Sequence, residues 1–446
     1  MAHKLSFIEK SGYAMGDAAA NLVWRGALAY LAVFYTDTFG LTASAAAILF
    51  LVVRLSDGIT DIIMGMVADR TQTKWGKFRP WIVVSTPFLC LFMVLCFTTP
   101  DFSPNAKLVY AYVTYIGLTL AYTFNNVPYS ALMGVMTPSD TERTRLSSYR
   151  FAGAFLGGLA VMGGLPELVQ YFGQGNSAQG YQYAMYLFAA LLAALMIITV
   201  STTRERVHVP TTHTVDLKTE MKELAQQLPF IMLPLLAITL FFYYRSIPTF
   251  LFAAMVFTLV YLVIRKLLAS PESERSRSQQ DIIDLLTNRP WLILLGMGFL
   301  TMMYNGIKYG VIAYYFKYAI QDEALAGGYF AALLVVSVAG ALATNFLVSK
   351  LGRKNTFIAA LLLSSAFVSV LFWVPPSNLV AIFTIGCISE FFAAMMPTLF
   401  FAMLGDSADF SEWKTGRRAT GLFYSAGTFV QKTGGGFAGA LVLVVL

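Results

Sequence analysis

A chain of 446 residues that is 57% hydrophobic and only 12% charged cannot cover itself as a soluble globule, in which roughly a quarter of side chains are charged. The mean hydropathy of +0.65 points the same way. The net charge of +7 does not indicate a nucleic-acid partner, because the basic residues cluster in short segments between apolar runs.

Crossing a bilayer as helix takes about 20 apolar residues. Such runs are expected at 12–39, 43–69, 79–99, 106–136, 147–172 and 180–201, and again at 289–319, 325–350, 354–375, 377–405 and 418–446. The expected fold is therefore all-α and polytopic, with a six-helix half over 1–203 and helices seven to eleven over 289–446. A six-plus-six plan would require a twelfth helix beyond Leu446. Residues 204–288 form the one strong composition shift, a polar linker with an amphipathic run at 216–227. An apolar stretch at 228–268, broken around Arg245 and Pro248, reads as an inserted two-helix hairpin. The N-terminal MAHKLSFIEK lacks the order of a cleaved signal, so the first helix is expected to stay as an anchor.

Lys4, Lys10, Arg70, Lys74, Lys77, Arg79, Arg143, Arg145, Arg204, Arg206, Lys350, Arg353, Lys354, Lys414, Arg417 and Arg418 all fall in connections on one side of such a bundle. The other side has little beyond Lys107, Arg245 and Lys317. The positive-inside rule then puts the N-terminus in the cytoplasm, and a bacterial inner (plasma) membrane is expected.

Several patterns carry no chemistry. Cys90, Cys96 and Cys387 lie in apolar stretches without CxxC spacing, and His3, His208 and His213 lack metal-ligand spacing. The glycines from Gly434 to Gly439 match GxGxxG with no preceding strand, and with the Gly153/Gly157 pair they read as close helix packing. With no Walker A, nucleophile elbow or kinase signature, neither ATP-driven work nor covalent catalysis is expected, so the chain is not read as an enzyme.

Charges inside the spans carry more. An ionisable group at mid-membrane costs roughly 2.5–3.5 kcal/mol on the insertion scale, so it marks a pathway or an internal pair. The first helix has Asp17 and Arg25, the second Arg54, Asp57 and Asp61, the fifth Arg150, the seventh Lys308, the tenth Glu390 and the eleventh Lys432. Asp57 and Asp61, spaced i and i+4, share one helix face with Thr60 close by. Two such carboxylates repel unless a cation or proton sits between them, and oxygen ligands suit a hard cation. The alternative is a packing network in which Arg54 and other bases neutralise them. On the fourth helix, Tyr122 to Tyr129 (YTFNNVPY) sets amides, hydroxyls and rings beside an in-span proline, which suits a sugar or else a packing kink.

The segments GMVADR (Gly65–Arg70) and WGKFRPW (Trp75–Trp81) resemble the loop motif of the major facilitator superfamily, faintly echoed at Leu351–Lys354. With LVVRLSDGITD before them, FYTD at Phe34–Asp37, DSADFSEWK at Asp406–Lys414 and the stretch Thr428–Lys432, the chain resembles the glycoside-pentoside-hexuronide:cation symporters, the melibiose permease group. The resemblance covers nearly everything outside 205–285. It implies no cofactor but a coupling ion, Na+ or H+, surrounded by Asp57, Thr60, Asp61 and Thr123. It implies a sugar site near Asp17, Tyr122, Asn126 and Arg150, with Lys432 close to both. The melibiose permease has an aspartate where Asn126 stands and a tryptophan where Ser130 stands. Gly65, Asp69, Arg70, Asp406 and Asp409 belong to the motifs implied to govern conformational change at the cytoplasmic face.

Lys308 is shared with members thought to handle acidic sugars, and the in-span set holds five bases against four acids. An anionic sugar or oligosaccharide is expected, with Lys308 as its main counter-charge, helped by Arg25 and Arg150; Glu390 is the competing protein partner. The expected partners are the sugar and the lipid bilayer, and the chain is expected to act as a monomer. A lipid or lysolipid carrier and a membrane sensor signalling through 205–285 are the competing readings.

Overall fold

The computed structural model describes residues 4–207, 247–271, 277–322, 324–417 and 419–445. All regular structure among the described residues is helical, apart from one isolated bridge between Thr73 and Gly76 in a tight turn. The first arm of the expected hairpin, the run at 216–227 and all three histidines lie outside the described residues.

The first six helices are α1 (Phe7–Val33), α2 (Ala43–Arg70), α3 (Arg79–Cys96), α4 (Pro104–Met136), α5 (Asp140–Gly173) and α6 (Ser177–Thr202). Their starts are written in the sequence. Ser6 and Glu9 form a reciprocal capping box on α1, Thr42 caps α2, Ser139 caps α5 and Asn176 caps α6. The start of α3 is capped from a distance. The Glu205 carboxylate accepts from the backbone N–H groups of Lys77, Phe78 and Arg79 at 2.7, 2.8 and 3.1 Å, an anion against the positive end of the helix.

Then come α7 (Ile247–Ala269), α8 (Arg277–Thr287), α9 (Arg289–Tyr314), α10 (Ala324–Val370), α11 (Leu379–Ala393), α12 (Met395–Thr415) and α13 (Thr420–Val445). α10 is two spans joined end to end. Gly352, at φ 75°, ψ 166°, turns the chain between them in a conformation that side chains with a Cβ rarely adopt. α7 is the second arm of the expected hairpin; it packs on α8 and leaves Phe250, Leu251, Met255 and Tyr261 exposed.

Three features differ from the sequence reading. α5 starts at Asp140 rather than 147, because the Ser139 cap and the acidic Asp140 and Glu142 stabilise an earlier first turn; Arg143 and Arg145 are thus helical. The Asp406–Lys414 segment, whose polarity suggests a loop, continues the helix to Thr415, and Gly416 in the left-handed region ends it. Finally, α1 and α9 each run into a π-helical turn, at Phe34–Thr38 and Tyr315–Ile320.

Helices α1, α5 and α6 pack together, as do α3, α4 and α6, while α9 packs on α13 and α10 on α11. Across these groups, α5 meets α10 and α12, and α13 meets α2 and α4. Six described stretches are apolar and long enough to cross a bilayer unaided, at Arg79–Cys96, Asp140–Gly173, Ser177–Thr202, Arg289–Ile312, Leu325–Trp373 and Leu379–Thr415. The chain is an integral, multi-pass membrane protein.

The α1–α5 contact is a close one. Gly153 and Gly157 lie against the backbone carbonyls of Ala14 and Ala18, so any Cβ there would force the helices apart, whereas Gly163, two turns on, faces open space. Gly157→Leu is expected to cost about 1–3 kcal/mol from overpacking. Thermal unfolding in detergent should register that loss, while Gly163→Leu should unfold like the unsubstituted chain.

Candidate functional site

The acidic pair on α2 is buried: Asp57 is 3% exposed and Asp61 0%. Their partners come from two other helices. Lys432 of α13 places its ammonium 2.9 Å from Asp57 Oδ1 and 2.8 Å from Asp61 Oδ2. Thr123 of α4 donates to Asp61 Oδ1 at 2.9 Å and lies 3.2 Å from Asp57 Oδ1. Thr428 approaches Asp61 Oδ2 at 3.5 Å. Thr60 turns away, its hydroxyl donating to the Asp57 carbonyl at 3.0 Å. The side chain of Arg54 lies outside the described set, and the base seen between the carboxylates is Lys432.

Lys432 also joins this cluster to a second one. Its ammonium stands 5.5 Å from the Trp24 ring centroid and 5.8 Å from that of Tyr122, and those two rings stack at 5.3 Å. One turn along α4 from Tyr122 is Asn126, whose side-chain Oδ1 is buried without a partner. Arg150 of α5 is 3% exposed; it donates through Nε to Asp17 Oδ2 at 2.9 Å and through Nη2 to Ser130 at 3.0 Å. Its Nη1 is likewise buried and unpartnered, and its guanidinium lies 4.2 Å from the centroid of Phe401. Orphaned buried polar atoms are rare and costly. Here an acceptor on α4 and a donor on α5 are both left unmet, beside an ion-paired aspartate on α1.

The rest of the YTFNNVPY cluster is structural. Asn125 points the other way, donating to Ser85 and Thr86 of α3 at 3.1 and 3.2 Å. Tyr129 and Tyr13 exchange hydroxyl-to-carbonyl bonds at 2.6 and 3.0 Å with their rings stacked, fastening α4 to α1.

Lys308 is not brought to this group. It pairs with Glu390 of α11 at 2.8 Å, both buried, and also donates to Ser389 at 3.3 Å. Glu390 is further satisfied by Tyr309 at 2.8 Å and Ser337 at 2.9 Å. The expectation that Lys308 is the main counter-charge of an anionic ligand is therefore corrected: its charge is met inside the protein. Arg25 donates through Nε to Asn21 at a long 3.4 Å, with no carboxylate on it among the described residues.

The motif residues meet at the basic end. Asp69 accepts from the Leu422 N–H at the start of α13 at 2.9 Å and from Lys77 at 2.9 Å, while Gly65 lets α2 approach the Gly421 carbonyl and Ser425. Arg70 donates to the Met66 carbonyl of its own helix. Asp406 and Asp409 hold Arg143, fully buried, at 2.8 and 2.7 Å, and Arg353 closes onto Asp406 and, at 3.4 Å, Asp140. Sequence reasoning placed Arg143 and Arg353 as connection charges only. Trp24, Phe401 and Glu205 gave no signal, since each acts through a partner far along the chain.

Spanning helices that place paired charges at their centre, with ion pairs tying the first six to the last five at one end, define a secondary transporter of major facilitator type. The chain belongs to the MFS/sugar transport protein family, whose model matches residues 12–247 and 244–446, and within it to the glycoside-pentoside-hexuronide group. It is similar to the uncharacterized symporter YnaJ of Bacillus subtilis, at 32% identity over 99% of this chain and 83% of that one. It is similar also to the putative glycoside/cation symporter YagG of Escherichia coli, at 30% identity over 98% and 82%. Among solved structures it shares its fold with the proton:xylose symporter XylE, at a TM-score of 0.52 and 12% identity, covering 98% of this chain and 87% of that one.

Removing one member of a buried ion pair strands the other, at about 3–5 kcal/mol. Lys308→Met should therefore unfold at markedly lower temperature in detergent. The double variant Lys308→Met with Glu390→Gln should recover much of that loss, which a double-mutant cycle reads directly.

Proposed function

We propose that this chain is a symporter that moves a sugar or glycoside together with a cation, Na+ or H+, by alternating access. The two halves, 1–203 and 289–446, rock about the central site, and the linker 204–288 with its apolar hairpin is peripheral to turnover. The chain acts as a monomer in a bacterial inner membrane, with the N-terminus and the basic connections in the cytoplasm. The observation that carries this reading is a two-carboxylate cluster held by one ammonium that also stands over the Trp24 and Tyr122 rings, with Asn126 Oδ1 one turn along α4 from Tyr122 and Arg150 Nη1 on α5 both buried and unpartnered. A relative described as a glycoside/cation symporter supports it.

Asp57 and Asp61 carry one charge more than Lys432 neutralises. A sodium ion would take the carboxylate oxygens and the Thr123 hydroxyl; a proton would take one carboxylate. Either event loosens Lys432, which lies over Trp24 and Tyr122. Those rings, with Asp17, Asn126 and Arg150, are the sugar subsite: Asn126 Oδ1 accepts from a hydroxyl, and Arg150 Nη1 donates to a ring or hydroxyl oxygen. Cation binding thereby prepares the sugar's floor, which is the coupling. The surplus of one base within the spans favours an acidic sugar, uronide or its oligosaccharide, with Lys308 now accounted for by Glu390. Contacts of Asp406, Asp409 and Arg143 and of Asp69 with α13 hold the cytoplasmic end together and must part for release inward.

Asp57→Asn and Asp61→Asn should abolish accumulation above the external concentration in proteoliposomes while sugar binding stays within about tenfold. Uptake measured under separate sodium and proton gradients identifies the ion. Normal accumulation by both variants would remove the cation assignment. Asp406→Asn, releasing one arm of the cytoplasmic clamp, should raise the labelling rate of cysteines introduced on that face.

A further inference from the structure

All four in-span acids are engaged by three of the bases: Asp17 by Arg150, Glu390 by Lys308, and Asp57 and Asp61 by Lys432. Of the two remaining bases, Arg54 has its side chain outside the described set, and Arg25 is met by no described acid. It lies on α1, eight residues or about 12 Å of helix beyond Asp17. A guanidinium on a spanning helix without an anion is costly, yet this one is held in place rather than left to wander.

The holding is specific. On α5, Gly158 leaves the only room for the Arg25 stem, since a Cβ there would collide with its Cδ and Nε. Asn21, one turn below, receives the Nε–H through Oδ1 and anchors its own amide on the Asp17 carbonyl at 2.9 Å. The side chain thus leans back toward the sugar subsite. Its two terminal nitrogens have no partner among the described residues and are not sealed in the packing.

We propose that Arg25, seated on Gly158 and oriented by Asn21, is an anion subsite that takes the acid group of the transported sugar. This rests on the symporter reading above and assigns within it the group that reads substrate charge. The two free N–H groups form a fork that matches a carboxylate, and the same fork accepts a sulfonate or phosphate ester oxygen pair. Arg25 lies about two turns of α1 beyond Asp17, which with Asn126 and Arg150 forms the proposed sugar subsite. The ligand is therefore a glycoside whose acid group lies across the ring from the hydroxyls those residues hold.

The test is equilibrium binding to the purified full-length chain in the presence and absence of the coupling cation. The probes are methyl and xylosyl glucuronides and galacturonides, each beside its neutral glucoside or galactoside parent, with 6-sulfo and 6-phospho analogues of the same glycosides. The unsubstituted chain should bind at least one acidic probe ten or more times tighter than its parent, and the acid type preferred separates carboxylate, sulfonate and phosphate. Arg25→Gln should lose about ten- to a hundredfold for that probe and leave the neutral parent unchanged. Arg25→Lys should recover part of the loss. Gly158→Ala, which crowds the stem without touching charge, should narrow the preference and serves if Arg25→Gln does not fold. No acid preference in the unsubstituted chain, or an equal loss for acidic and neutral probes in Arg25→Gln, would overturn the subsite. If neutral probes still bind with cation dependence in those cases, the symporter reading survives; if no sugar binding responds to any cation, that reading fails and the subsite with it.

Discussion

An ammonium from the last described helix, lodged between two carboxylates of the second, is the interaction around which the rest of the molecule is arranged. Asp57 and Asp61 are buried and Lys432 is largely so; each charge alone would be costly there, and together they remain one positive charge short. Burial makes the deficit strong, and the proposed coupling cation is what would meet it. Because the ammonium and the carboxylates come from opposite halves, the same contact fixes how far those halves can separate while the site is empty.

Around it, the molecule sorts its polar groups into those that are finished and those left open. The Lys308–Glu390 network is finished: hydroxyls from Ser337, Ser389 and Tyr309 complete it, tying three helices of the second half into one body. The Tyr13–Tyr129 exchange does the same for the first half. Among those left open are Asn126 Oδ1, Arg150 Nη1 and the fork of Arg25. All three belong to helices of the first half, so a ligand there adds contacts without remodelling the body that holds them.

Much of this was legible beforehand, and the pattern of what was not has one cause. The span pattern, the shared face of Asp57 and Asp61 and the charge of each buried residue follow from local order in the chain. So does the inference that Lys308 needs a partner from another helix, since Tyr304, Asn305, Val311 and Ile312 around it carry no acid. Which partner it takes is a long-range fact, 82 residues away, and spacing cannot supply it. Arg143 shows the same limit: near a helix start it reads as one more orientation-setting charge, whereas two aspartates on α12 bury it completely. The Asp406–Lys414 segment read as a loop because its polarity is high, but its polar face is consumed by those contacts and propensity yields to packing.

The stretch from Leu379 to Thr415 is close to one rod of 37 residues, since the Ala394 N–H still bonds to the Glu390 carbonyl across the junction of α11 and α12. At 1.5 Å per residue it is about 55 Å long, nearly twice the hydrocarbon thickness. Glu390 and Asp406 are sixteen positions apart on it, or about 24 Å. A tilt of such a rod by about 10° about Glu390 would sweep the Asp406 end through about 4 Å, more than an ion pair tolerates. A displacement too small to disturb packing at the middle of the bilayer is thereby magnified into the making or breaking of charge contacts at its surface.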